Sequence, residues 1–130
     1  MIVPKILIVH IKRFTQLGTK LKTPLNFPFQ FQLDSDHMLD KVALQERAHS
    51  YELYALIVHQ GYSAHKGHYY SFIKEEQVGG GEEVWHKYDD SAVKTVEDMD
   101  HAHVALQTQK AYILFYKKVS IYNNRLGGLN

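Results

Sequence analysis

The segment HQGYSAHKGHYYSF, residues 59–72, carries His59, His65 and His68 within ten positions and follows them with Tyr69 and Tyr70. Imidazole in that density can serve metal binding, proton transfer or packing. Zinc takes imidazole readily, but the spacing of these three argues against a metal. No HExxH pair, no cysteine and no convergent carboxylate pattern accompanies them. The HAH of residues 101–103 would point its rings apart on a helix, because positions two apart share no face. No metal and no cofactor is expected. His10, His37, His49, His101 and His103 have nothing convergent around them and read as structural.

Proton transfer needs a partner that fixes the imidazole tautomer and stabilises its charged form, usually a carboxylate at the opposite ring nitrogen. YDD at residues 88–90 offers one. If residues 67–74 and 84–89 form a hairpin, a turn centred between Val78 and Gly79 sets His68 directly opposite Asp89. Their Cβ atoms would then be roughly 5 Å apart. A turn centred on Gly80 shifts the pairing by three residues, and the glycine-rich EEQVGGGEE between the strands could absorb either choice. A His68–Asp89 pair is therefore credible on geometry, with its register open. Tyr69 and Tyr70 have a bland reading beside any functional one, since aromatics on a half-buried strand usually pack.

These residues need strands to hold them, and the chain supplies several. PKILIVHIKRF is apolar on both alternating sets, which suggests a strand buried on both faces. PLNFPFQFQL suits an edge or extended segment. YELYALIVHQ, GHYYSFIK, EVWHKYDD and AYILFYKK read as further strands. Residues 34–50 are polar, with a short helix expected around 38–47. Thr95 with Asp98 three residues on is a capping-box pattern that favours another short helix. The expected fold is α+β, a mostly antiparallel sheet with one or two short helices, over residues 1–118, and a frayed tail over 119–130. A core strand starting near residue 5 marks Met1 as an artificial start or the edge of a truncation.

Composition bounds the rest. At 130 residues, 45% hydrophobic and 22% charged, this is one compact domain or a piece of one. A net charge of +1 gives no argument for nucleic acid, and apolar runs such as ILIV are far too short to cross a membrane. There is no cysteine, so disulfides and Cys-ligated zinc are excluded. A cytoplasmic or nuclear setting is the default.

Five landmarks together resemble the C-terminal half of the catalytic domain of ubiquitin-specific proteases, the papain-like cysteine deubiquitinases. PKILIVHIKRF is similar to the family's strand ending in Lys-Arg-Phe, and FPFQFQL to the Phe-Pro segment after it. The run from YELYALIVHQG to GHYYSFI resembles the histidine box, WHKYDDSAV the aspartate box and AYILFYKK the closing strand. The resemblance covers about residues 4–118. It implies the palm part of that domain, with His68 as the general base toward a cysteine, Asp89 as its orienting acid and Asp90 as a supporting position. Gly67 and Tyr69 would flank the channel for the ubiquitin tail, and residues 60–66 would be a mobile loop beside it. His59 is similar to a family histidine near the cleft and is given no chemical step.

The family's nucleophile lies in an N-terminal cysteine box, and none of these 130 residues is a cysteine. The resemblance thus implies the histidine- and aspartate-bearing half of a deubiquitinating hydrolase, inactive alone, with two partners: ubiquitin or a ubiquitinated protein, and the cysteine-bearing half. The alternative is a non-catalytic ubiquitin-binding or scaffold module that keeps the fold. Without the other half, apolar surface should stay exposed, and the chain should oligomerise, pair with another chain or aggregate.

Overall fold

The structure, a computed structural model, describes residues 3–33, 49–76, 79–96 and 109–119. Seven strands form one sheet: β1 (Ile6–His10), β2 (Gln30–Leu33), β3 (His49–Ser63), β4 (Lys66–Glu75), β5 (Val84–Asp89), β6 (Ala92–Val96) and β7 (Ala111–Val119). The order across the sheet is β1-β7-β3-β4-β5-β6, with β2 paired to β3 off this path, and every pairing is antiparallel. No helix occurs among the described residues. The helix expected over 38–47 lies outside them, as does the one begun by the capping box, except that Thr95 and Val96 belong to β6. The tail from residue 120 also lies outside them; β7 runs through Val119.

The long strand β3 organises the sheet because it is rich in residues that fit a pleated, buried surface. Its N-terminal part pairs with β2 and β7, and from Ala55 onward it pairs with β4. Tyr51, Leu53, Leu56 and Val58 of β3 are fully buried, joined in the core by Tyr70, Phe72, Trp85, Leu114 and Tyr116. Buried hydroxyls need acceptors. Tyr51 donates to the Pro4 carbonyl at 2.7 Å and Tyr116 to the Pro28 carbonyl at 2.8 Å. Arg13 of the KRF sequence is buried too, and donates from Nε to the Ala111 carbonyl at 2.6 Å and from Nη1 to the Thr23 carbonyl at 2.9 Å. It ties the segment after β1 to the start of β7.

Two sequence expectations change. The strand expected to be buried on both faces is β1, and among the described residues it stands at the sheet's edge, paired only with β7. Leu7 packs on the core, while Ile6 and Ile8 are 46% and 58% exposed. Apolar residues at both alternating sets marked a strand with two hydrophobic faces, but among the described residues only one face is covered. Second, residues 60–66 are not an open loop. β3 runs on through Ser63, a turn at Ala64 and His65 reverses the chain, and pairing resumes with Ser63 opposite Lys66. The ladder is irregular between Gln60 and Ser63. Backbone bonds from Lys20 to the Tyr62 carbonyl and from Ala64 to the Gly18 carbonyl tie this hairpin end to the 14–20 turn.

Candidate active site

His68 lies near the start of β4, opposite Gln60 in the last regular pair before that irregularity. Asp89 ends β5, and Asp90 opens the two-residue connection to β6 with φ 52°, in the left-handed region. Aspartate tolerates that conformation better than most residues, because its short polar side chain bonds locally.

The β4–β5 register runs from Ser71 opposite Tyr88 to Glu75 opposite Val84. This centres the hairpin between Gly79 and Gly80, whose φ values of 97° and 81° suit a reversal only glycine makes without strain. The sequence expectation of a turn between Val78 and Gly79, with His68 directly opposite Asp89, is thus off by two residues. Carried on, the observed register sets Asp89 opposite Tyr70 and diagonal to His68. A one-residue slip would have sent one side chain to the other face; a slip of two keeps both on the same face. Diagonal neighbours remain within reach. His68 Nε2 and Asp89 Oδ1 are hydrogen-bonded, and the pair is bridged across the hairpin.

The chemistry of that contact is directional. A carboxylate only accepts, so the Nε2–H of His68 donates to Asp89 and leaves the lone pair on Nδ1. Nδ1 has no hydrogen-bond partner among the described residues, and the His68 side chain is 46% exposed. Asp89's hydrogen bond raises the His68 pKa above that of a free imidazole, with the charges of Asp89 and Asp90 adding to it and Lys87 opposing it. The same bond holds the Asp89 carboxyl below its usual range, helped by Lys87. The result is an exposed imidazole, oriented from behind, with a basic nitrogen facing outward.

Lys87 is a neighbour of the pair that sequence reasoning missed. Its Nζ is 3.2 Å from Asp89 Oδ2, the oxygen His68 does not use, and 4.1 Å from the centre of the Tyr70 ring. The signal was present in WHKYDD: residues two apart on a strand share a face. Burial and the Asp89 charge push the Tyr70 phenol up. One ligand atom from each of His68, Asp89 and Asp90 fall within 4.8 Å of one another. Exposed acidic groups commonly lie this close with no ion between them, so the cluster by itself points to no metal.

Gly67 and Tyr69, expected at a substrate channel, precede and follow His68 in β4, and both lie against His59. A Cβ on Gly67 would sit 2.8 Å from the Gln60 carbonyl oxygen, 2.8 Å from His59 Cε1 and closer still to His59 Nε2. The glycine therefore makes room for a neighbouring imidazole. The Tyr69 ring, 46% exposed, lies 4.8 Å from the His59 ring and 6.1 Å from Tyr112. His59 itself is fully buried, with neither ring nitrogen hydrogen-bonded among the described residues. Burial and the nearby Lys20 ammonium, which donates to the His59 carbonyl, lower its pKa and keep it neutral. It packs beneath the strand that carries His68. His65 sits in the turn, beside Gly18.

One antiparallel sheet thus presents a hydrogen-bonded His68–Asp89 pair at one hairpin. Residues 2–116 match the family described as ubiquitin carboxyl-terminal hydrolase. The chain belongs to that family. It is 34% identical over 118 residues to ubiquitin carboxyl-terminal hydrolase 24 of Arabidopsis thaliana, covering 88% of this chain and 19% of that protein. It is 35% identical over 125 residues to probable ubiquitin carboxyl-terminal hydrolase 16 of Schizosaccharomyces pombe, covering 94% of this chain and 24% of that protein. The chain thus spans about a fifth of the length of these relatives. Its fold is similar to the SAGA Ubp8/Sgf11/Sus1/Sgf73 DUB module bound to ubiquitin aldehyde, with a TM-score of 0.64, 27% identity, and coverage of 91% of this chain and 25% of that one.

Proposed function

We propose that these residues are the histidine- and aspartate-bearing half of a deubiquitinating thiol protease that hydrolyses the bond after the C-terminal glycine of ubiquitin. The observation that carries the reading is the oriented imidazole: Nε2 bound to Asp89, Nδ1 without a partner among the described residues, side chain 46% exposed. His68 Nδ1 would take the proton of a cysteine thiol, and the thiolate–imidazolium pair lowers the effective thiol pKa by several units. The thiolate would attack the glycine carbonyl carbon. As the C–N bond breaks, His68 would return that proton to the leaving amine, and water assisted by the same imidazole would cleave the thioester. Asp90 would support the pair through its charge. Gly67 and Tyr69 would border the ubiquitin tail, with the open face of the Tyr69 ring offered to it.

The nucleophile must come from a cysteine-bearing half, because these 130 residues contain no cysteine. Alone they bring a base and an orienting acid and should hydrolyse nothing by this route. Joined to or mixed with a cysteine-bearing half of a family member, the chain should release the fluorophore from a ubiquitin C-terminal amide. That release should collapse on His68→Ala, and full activity in the variant would refute the assignment.

The lack of cysteine favours one second reading, a module that binds ubiquitin without cleaving it. Titration of labelled ubiquitin onto the chain separates the two. Binding unchanged by His68→Ala, with no hydrolysis in any reconstituted form, supports the module.

A further inference from the structure

We infer that Lys87 is a positioning residue for the His68–Asp89 pair: its ammonium binds the second carboxylate oxygen and is itself braced on the Tyr70 ring, so that Asp89 presents Oδ1 to His68. The inference rests on the reading of His68 as a base.

Asp89 ends its strand beside a tight turn, and its side chain is about one-third exposed. One bond to a half-exposed imidazole leaves such a carboxylate free to rotate away. A second anchor on the other oxygen removes that freedom, and Lys87 Nζ provides it at 3.2 Å. The lysine is held in turn. It lies two residues before Asp89, so both side chains leave β5 on the same face. Its Nζ stands 4.1 Å from the Tyr70 ring centre, a cation–π contact. Tyr70 is buried on β4 two residues after His68, and the two rings lie 6.2 Å apart. The four groups close a ring across the hairpin: His68 to Asp89, Asp89 to Lys87, Lys87 to Tyr70, and Tyr70 back along its own strand to His68.

Lys87 has two opposed effects on His68. Its charge repels the imidazolium, while its grip on Asp89 preserves the hydrogen bond that stabilises the imidazolium. The charged groups acting on His68 are Asp89, Asp90 and Lys87, with the Tyr70 phenol alongside. Among them the Asp89 hydrogen bond is the largest influence and the Lys87 charge a small one. Loss of a positioning lysine should therefore weaken the imidazolium, whereas loss of a mere charge should strengthen it.

That difference in sign is the test, and it needs no nucleophile. The His68 ring is titrated by NMR in the full chain for wild type, Lys87→Met, Lys87→Arg, Asp89→Asn and the Lys87→Met/Asp89→Asn double variant. Unshifted His59 and His86 resonances verify the fold, and Lys87→Gln replaces the methionine variant if that one fails to fold. Lys87→Met should lower the His68 pKa toward the Asp89→Asn value, and Lys87→Arg should keep it near wild type. In the Asp89→Asn background, where only repulsion is left, Lys87→Met should raise it. A rise or no change on Lys87→Met in the wild-type background overturns the inference. In the form reconstituted with a cysteine-bearing half, Lys87→Met should lower kcat about 10-fold with KM unchanged, and arginine should restore it. If no form hydrolyses ubiquitin substrates the proposed function fails, while the signs of the titration still decide the role of Lys87.

Discussion

Gly67→Ala is the substitution whose effect the structure defines most sharply. Gly67 does not adopt a positive φ, so alanine would meet no backbone penalty there and any cost is steric. The added methyl would lie 2.8 Å from both the Gln60 carbonyl oxygen and His59 Cε1, and nearer to Nε2. Carbon contacts prefer about 3.5–4.0 Å. His59 is fully buried between the Phe14 ring at 5.2 Å and the Tyr69 ring at 4.8 Å, which blocks its retreat. Overpacking costs about 1–3 kcal/mol, and crowding by a carbonyl on top of a trapped ring puts this site near 3 kcal/mol. For a domain of this size that is a fall in Tm of about 10 °C. Thermal unfolding followed by circular dichroism reads it directly. Gly79→Ala is the internal control: a Cβ there meets nothing within 4 Å, but φ is 97°, so the cost is conformational, about 1 kcal/mol. The double variant His59→Ala/Gly67→Ala should recover about 1 kcal/mol or more of the coupled cost, the range seen for residues in contact, while the Gln60 clash stays. A Gly67→Ala variant no less stable than Gly79→Ala would refute this reasoning and, with it, the packing role assigned to His59.

Lys74 is buried and paired with Glu52 and, at 3.1 Å, with the exposed Glu83. Lys74→Ala should cost about 3 kcal/mol by stranding Glu52, and Glu83→Ala under about 1 kcal/mol, both by urea denaturation. The Tyr116 phenol is pushed up to about 12 by burial. The unfolded chain releases that proton near pH 10, so stability should fall as pH rises above 10 toward 12, and Tyr116→Phe should flatten that part of the profile. Edge strand β1 leaves Ile6 and Ile8 exposed, a surface that invites association. The chain should self-associate in light scattering, and Ile8→Lys should shift it toward monomer.

Much of the sheet was legible because its signals were local. The alternation in GHYYSFIK and WHKYDD, and the glycines between them, gave β4, β5 and their hairpin. β6 was missed because AVKTV is short and carries a capping-box pattern that competes with the strand reading; its real signal was the Asp90–Ser91 reversal between two alternating runs. The His68–Asp89 pairing was legible as a shared face but not as a register, since three successive glycines fit several turn centres equally well. The edge position of β1 could not be read, because two apolar faces describe what a strand can cover and not what covers it. Lys87 was overlooked for a different reason: a lysine on a strand reads as a solvated charge until its partners are placed. The His59 ring against Gly67 was hidden in the same way, since sequence shows that a glycine allows close approach but not by which group.

The central claim is that His68, oriented by Asp89, makes a neighbouring thiol nucleophilic. The most direct measurement is the pH dependence of alkylation by iodoacetamide at the nucleophilic cysteine of a complementing half, in complex with this chain. With wild-type chain the cysteine should react as a thiolate well below the pH of about 8.5 at which a free thiol ionises. His68→Ala should return the profile to about 8.5, with Asp89→Asn between the two. The same profile in wild type and His68→Ala would contradict the account.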